Sequence, residues 1–169
     1  MLCSVDTCFL IDWAKYRRRD ILQGVFEAAY VTRDVLDEAR TEATLSYIGD
    51  LLADGFLAFY PLMEDVTSLV REIVAVSIRD PRIRTIDPPE AFALAIAVKE
   101  ECICLTENKG VLRLSELYRD RFNVEVWRSY EVLKRAYKIG LIESLEEEIR
   151  AYEEDTGHLF PRRRVEKGG

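Results

Sequence analysis

Polar and apolar positions alternate along this chain in two rhythms. Short apolar segments at residues 2–5, 28–31, 56–62, 102–106 and 123–127 read as strands. The first is apolar on both faces, which predicts a place at the centre of a sheet. Between them the apolar spacing becomes helical. Phe9, Leu10 and Trp13 share one face up to the run Arg17, Arg18 and Arg19. Thr32 is placed to cap a helix through Val35, Leu36 and Glu38, because its hydroxyl can accept from the unpaired amides of a first turn. That helix is read as continuing to Leu52, with Asp54 and Gly55 closing it. Residues 64–78 carry Val66, Leu69, Val70, Ile73 and Val74 on one face. After a loop at 79–89 holding three prolines, helices are expected at 90–100, 111–118, 129–139 and 141–152.

Strands alternating with helices predict a three-layer α/β/α sandwich around a mostly parallel sheet of four or five strands, with about seven helices. A C-terminal helix and a loose basic tail are read at 143–169, the looseness expected from 155 onward. Glu143 to Asp155 holds seven acids against Arg150 and reads as a solvated helix face.

Composition narrows the function. In 169 residues, 24 basic side chains face 31 acidic ones, a net charge of −7. A protein that coats nucleic acid would normally be basic, so any grip on nucleic acid must be local. Arg17–Arg18–Arg19 and Arg162–Arg163–Arg164 are candidates, with solvated surface as the plainer reading. No apolar run approaches the ~20 residues that span a bilayer. The opening lacks a basic n-region and is broken by Asp6 and Asp12, so no secretory signal and a cytoplasmic location are expected. Asn108, Asn123 and Gln23 are the only side-chain amides, a scarcity that resembles a thermophile's composition. Cys3, Cys8, Cys102 and Cys104 lack zinc-finger spacing. Those on strands read as buried thiols, with an inter-strand disulfide left open. His158, the one histidine, is isolated and receives no catalytic role.

In an open α/β sheet, sites gather beyond the carboxyl ends of the strands. Polar residues there form a short set: Asp6 after the first strand, Glu38 after the second, Glu90 opening the helix before the fourth, and Thr106, Glu107 and Asn108 after the fourth. Clustered carboxylates repel one another unless a cation neutralises them. Oxygen ligands without histidine or cysteine suit Mg²⁺ or Mn²⁺. Each acid also has a local reading. Asp6 can cap the next helix, and Glu38 can face solvent. Asp87-Pro88-Pro89-Glu90 reads as a helix start with Asp87 as cap and Glu90 reaching back to it.

At this point the sequence resembles the PilT N-terminal (PIN) domain family. The match runs through Val5-Asp6-Thr7-Cys8-Phe9-Leu10, Thr32-Arg33-Asp34-Val35-Leu36-Asp37-Glu38, Glu90-Ala91-Phe92-Ala93-Leu94-Ala95 and Cys104-Leu105-Thr106-Glu107-Asn108. A segment at 128–142 is similar to the closing part of archaeal members, so the resemblance covers roughly residues 1–142 and implies a nuclease domain there. The resemblance implies a metal-dependent endoribonuclease cleaving single-stranded RNA without a covalent enzyme intermediate. Asp6, Glu38, Glu90 and Asn108 would hold one or two Mg²⁺ or Mn²⁺ ions. It also implies an antitoxin protein as partner, as in toxin–antitoxin pairs, and a homodimer. The chain departs from the family at Asn108, where the fourth acid would stand, with Glu107 and Asp87 as candidate substitutes. That loss of charge raises a rival reading, a degenerate PIN domain that binds RNA or a protein without cutting. A nucleotide- or flavin-binding protein is disfavoured, because no glycine-rich loop follows the first strand.

Overall fold

The computed structural model describes residues 1–161. The elements run β1 (Leu2–Val5), α1 (Thr7–Lys15), α2 (Ile21–Val25), β2 (Ala28–Val31), α3 (Asp34–Glu38), α4 (Glu42–Ala53), β3 (Leu57–Phe59), α5 (Glu64–Arg79), α6 (Pro88–Glu100), β4 (Ile103–Leu105), α7 (Lys109–Leu117), β5 (Val126–Trp127), α8 (Ser129–Lys138) and α9 (Leu145–Thr156). All pairings are parallel and the sheet order is β3-β2-β1-β4-β5. β1 is therefore central, as its doubly apolar character predicts. The chain moves outward from β1 to β3, then returns through α5 and α6 to β4 on β1's other side. The crevice between β1 and β4 is the switch point of the topology, where open α/β sheets place their sites.

Alternating side chains of the strands feed two cores. On one face Cys3, Val5, Ala29, Val31 and Leu105 pack with α1, α2, α4, α8 and α9, through side chains such as Phe9, Trp13, Ile48, Leu133 and Tyr152. On the other, Cys104 packs with α5, α6 and α7, through Ile73, Leu94, Ile96 and Leu114. α6 buries Ala91, Ala93, Leu94, Ala95, Ile96 and Ala97. Small side chains on nearly every side let it lie close against both sheet and α5.

Nine helices form among the described residues, where the pattern predicted about seven. α2 spans only five residues, too short to display a helical period, yet buries Ile21, Leu22 and Val25. The helix expected over 32–52 is two. Ala39 turns extended (φ −74°, ψ 106°) after α3, and Thr41 starts α4 by accepting the Thr44 amide at 3.2 Å. Thr32 does not cap as expected. The residue before α3 is Arg33, which makes no side-chain cap, and Thr32 contributes its carbonyl to the Val35 amide. β3 stops short because Pro61 has no N–H to extend the ladder beyond the Tyr60 amide on the Val31 carbonyl.

The last helix starts at Leu145, four residues later than its apolar pattern suggests. Ser144 caps it, accepting the Glu147 amide at 3.3 Å. The expectation of a loose tail from 155 is corrected over its described part. Phe160 is buried and stacks on Tyr152 at 5.4 Å between ring centres, and its amide donates to Glu153 at 3.0 Å. The remainder of that tail, with Arg162–Arg163–Arg164, lies outside the described residues.

The acidic face of α9 is likewise less solvated than its composition implies. Arg17 pairs with Asp155 at 2.7 Å and Glu154 at 2.9 Å, Arg18 reaches Glu148 at 3.3 Å, and the Tyr16 hydroxyl donates to Glu148. Arg17 and Arg18 thus clamp α9 onto α1, and Arg19 lies over the Tyr47 ring at 4.9 Å. All four cysteines are free, with Cys3 and Cys104 buried and Cys8 exposed. No described helix is long and apolar enough to cross a membrane.

Candidate functional site

Asp6 leaves β1 at the switch point, buried, and its side chain is fixed from two directions. Oδ1 accepts the Cys8 amide at 3.1 Å, so Asp6 caps α1. Oδ2 accepts the Thr106 hydroxyl at 2.9 Å. Thr106, at the end of β4, also accepts the Asn108 amide at 3.1 Å. The capping reading and the site reading of Asp6 therefore hold together. One hydroxyl ties the ends of the two central strands into a single rigid rim.

Glu38 and Glu90 face the same charge. Burial raises the carboxyl of Glu38, and the negative charges of Asp6 and Asp34 raise it further. Glu90 is raised by burial and by Asp6, Asp87 and Glu38, against a lowering from its own amide. Burial raises Asp6, partly offset by the Thr106 and Cys8 hydrogen bonds, with Asp12 adding to the rise. The three acids sit within electrostatic reach of one another, and each becomes harder to ionise than it would be alone.

Glu90 is not the capping-box acid of its helix. Asp87 occupies the cap position without a side-chain hydrogen bond, Pro88 and Pro89 have no amide to offer, and Glu90 Oε2 is buried without a partner among the described residues. A buried carboxylate oxygen left unpaired is costly. It marks a place where a cation or another donor belongs.

Asn108 stands beside this rim but its oxygen is in use. Oδ1 accepts the Val111 amide at 3.0 Å and caps α7. Glu107 points the other way. Its carboxylate accepts the Ser129 amide at 2.7 Å and lies 3.5 Å from His158 Nε2, so it cannot stand in for the fourth acid. Ser129 in turn bonds the Trp13 indole at 3.0 Å and the Tyr152 hydroxyl at 2.9 Å. Glu107 and His158 thus belong to the packing of α8 and α9.

Two groups of the site escaped the sequence reading. Cys8, on the solvent side of α1, has a thiol pushed up to about 11 by partial desolvation and by the charges of Asp6, Glu38, Glu90 and Asp12. Asp12 lies one turn further along α1, its carboxyl raised by burial and drawn down by Lys15 and His158. The signal was available, since positions 8 and 12 share a helix face just after Asp6.

The donors fit a hard divalent cation in type, being carboxylate oxygens, and in the unpaired Glu90 Oε2. Among the described residues, no three His, Cys, Asp or Glu side chains stand together in a ready-made metal site. The acids are poised around the switch point without being gathered to ligating distance.

No family model matches the sequence, and no curated protein matches it. Among solved structures, the chain is similar to one from the crystal structure of VapBC2 from Rickettsia felis bound to a DNA fragment from their promoter. The TM-score is 0.52 at 15% identity, covering 76% of this chain and 98% of that one. At such identity the likeness speaks for architecture, and the architecture is a PIN-like three-layer sandwich with a five-stranded parallel sheet.

Proposed function

We propose that this chain is a divalent-metal-dependent endoribonuclease that cleaves single-stranded RNA, acting as the toxin of a toxin–antitoxin pair. The observation that carries the reading is the acidic switch point, where Asp6 is locked by Thr106 while Glu38 and Glu90 repel its charge and Glu90 Oε2 stays unpaired. Such a pocket is stabilised by a cation and has little other use for its charges. The fold shared with VapBC2, which was crystallised on a promoter fragment, supports a protein partner for this chain as well. A homodimer belongs to the same reading.

Asp6, Glu38 and Glu90 would hold Mg²⁺ or Mn²⁺, with Asn108 at the rim. When bound, the ion supplies activation of water and stabilisation of the leaving oxygen. The chain's own part is positional. Asp6 cannot swing away, because both its oxygens are hydrogen-bonded, and its Thr106 contact holds β1 and β4 in register at the reacting edge. Glu38 closes a five-residue helix, where the charge of Asp6 reaches its carboxylate.

The test is cleavage of unstructured RNA in Mn²⁺, with calorimetric titration of the ion. Wild type should cut weakly and Asp6→Asn should fall to background. Asn108→Asp should preserve the cap on Val111, since aspartate caps as well as asparagine. It adds a charge worth roughly 4 kcal/mol at ~4 Å and an effective dielectric of ~20, before desolvation removes much of it. About tenfold tighter Mn²⁺ binding and faster cleavage are expected.

One observation favours a second reading. Asn108 Oδ1 is already committed to the Val111 amide, which leaves three acids and a neutral fourth position. On that reading the domain binds RNA or a protein without cutting. Absence of cleavage by both wild type and Asn108→Asp, with binding retained, would establish it.

A further inference from the structure

The acidic pocket has a basic neighbour that the net charge conceals. The segment between α5 and α6 returns along α7. At its start the Tyr118 hydroxyl donates to Asp80 at 2.8 Å. Near its end the backbone presses so close to α7 that a Cβ on Gly110 would lie 2.4 Å from the Arg84 carbonyl oxygen. Between segment and helix lies a cavity of about 500 Å³ lined by Arg82, Arg84, Lys109, Leu112, Arg113, Glu116 and Arg128. Five cations thus face a single carboxylate in a protein whose overall charge is −7.

Most of these cations are uncommitted. Among the described residues, Arg84, Lys109 and Arg128 form no ion pair, and Arg128 Nε is buried without a hydrogen-bond partner. Arg113 meets only exposed Glu116, at 3.3 Å, while Arg82 is held by Asp80 at 2.7 Å. The groove starts one residue from the rim of the acidic site. Lys109 directly follows Asn108, whose amide bonds Thr106, whose hydroxyl bonds Asp6.

We propose that this groove along α7 is the track for the phosphate backbone of single-stranded RNA on its way into the acidic pocket. The inference rests on the nuclease reading for its ligand class, and on the groove alone for its location. Carboxylates without metal repel a phosphodiester. A substrate therefore needs an adjoining positive surface that does not compete for the same space. Arginine forks match phosphate oxygens in pairs, and lysine adds a point charge. Leu112 gives the floor an apolar patch that tolerates any base.

The test is fluorescence anisotropy of a short, 5′-labelled, unstructured oligoribonucleotide with the full-length protein in EDTA, repeated across salt concentrations. EDTA removes any metal bridge, so the readout is independent of cleavage. Arg84→Ala/Lys109→Ala should bind roughly tenfold more weakly at ~50 mM salt. The slope of log affinity against log salt should shrink by about 1.4, the loss of two phosphate contacts to a single strand. Arg71→Ala, at an exposed position of α5 paired with Glu64, should match wild type.

An unchanged affinity and slope in the double variant, with its circular dichroism intact, would overturn the proposal. So would displacement of the RNA by poly-glutamate as readily as by unlabelled RNA, which would assign the groove to an acidic protein segment. Groove-dependent RNA binding without any cleavage would uphold this proposal and remove the nuclease reading alone.

Discussion

Thr106 does two jobs with one hydroxyl, donating to Asp6 Oδ2 and accepting the Asn108 amide. Valine has the same shape and can do neither. Thr106→Val should therefore destabilise the fold by about 1–3 kcal/mol, since it leaves a buried carboxylate oxygen and a backbone amide short of partners. It should also raise the Asp6 carboxyl further and weaken Mn²⁺ binding, and Thr106→Ser should restore both. Thermal melts and calorimetry check this. A Thr106→Val protein that melts and binds like wild type would mean the hydroxyl does not hold Asp6. Asn108 illustrates the complementary case. Its side chain is a sound helix cap whatever else it does, so a neutral residue here costs the fold nothing and changes only the charge of the pocket.

Among the elements, α9 and the segment after it carry more of the stability than their acidic composition suggests. Leu145, Ile149 and Tyr152 enter the same core as Phe9 and Trp13, and Phe160 closes over Tyr152 and Tyr130. Gly157, at φ 74°, makes the turn that brings Phe160 back, a conformation glycine adopts without strain. Phe160→Ala should cost about 3–5 kcal/mol, the range for emptying a buried aromatic site. Chemical denaturation would show it as a lower midpoint with an unchanged slope. A loss under about 0.5 kcal/mol, typical of exposed positions, would show that this segment does not pack in solution.

At the scale of the whole molecule, the charges divide into an acidic switch point, a basic groove beside it, and an α1–α9 clamp of paired ions. The first of these sets a pH dependence. Asp6, Glu38 and Glu90 are all raised in the native state. Between the ordinary carboxylate range and these raised values, the native protein binds more protons than the unfolded chain. The free energy of unfolding therefore falls as pH rises through that window, and the contribution is complete below it. Asp65, Asp80 and Asp155 are lowered by Lys99, Arg82 and Arg17. Their stabilisation is lost only at lower pH, as pH falls through their native values, so the two effects do not cancel. In EDTA the melting temperature should drop as pH rises from the ordinary carboxylate range through the raised values of these acids. Asp6→Asn should raise it at the upper end by about 2–4 °C, some 1 kcal/mol for a domain of this size, and flatten the profile. Mn²⁺ should stabilise wild type more than the variant. A flat wild-type profile in EDTA would mean that the acids do not strain the fold.

The sequence by itself determined the alternation of strands and helices, the central place of β1 and the order in which the acids arrive at the sheet edge. These are written in local periodicity and in which residue follows each strand. A run that is apolar on both faces can only be an inner strand, and the residue after it must emerge at the edge. The tertiary structure decided which partner each polar group finds across large separations in sequence. Glu107 and Asn108 are neighbours with opposite fates, one bonded to Ser129 beside His158 and the other to α7, because successive residues leaving a strand point to opposite sides. Arg17 and Arg18 read as solvated surface or, less plainly, a local grip for nucleic acid, and the fold instead pairs them with acids of α9, while the groove assembled from Arg82, Arg84, Lys109, Arg113 and Arg128 had no signature in any one segment. Charge pairing depends on distance in space, and only the packed fold fixes that distance.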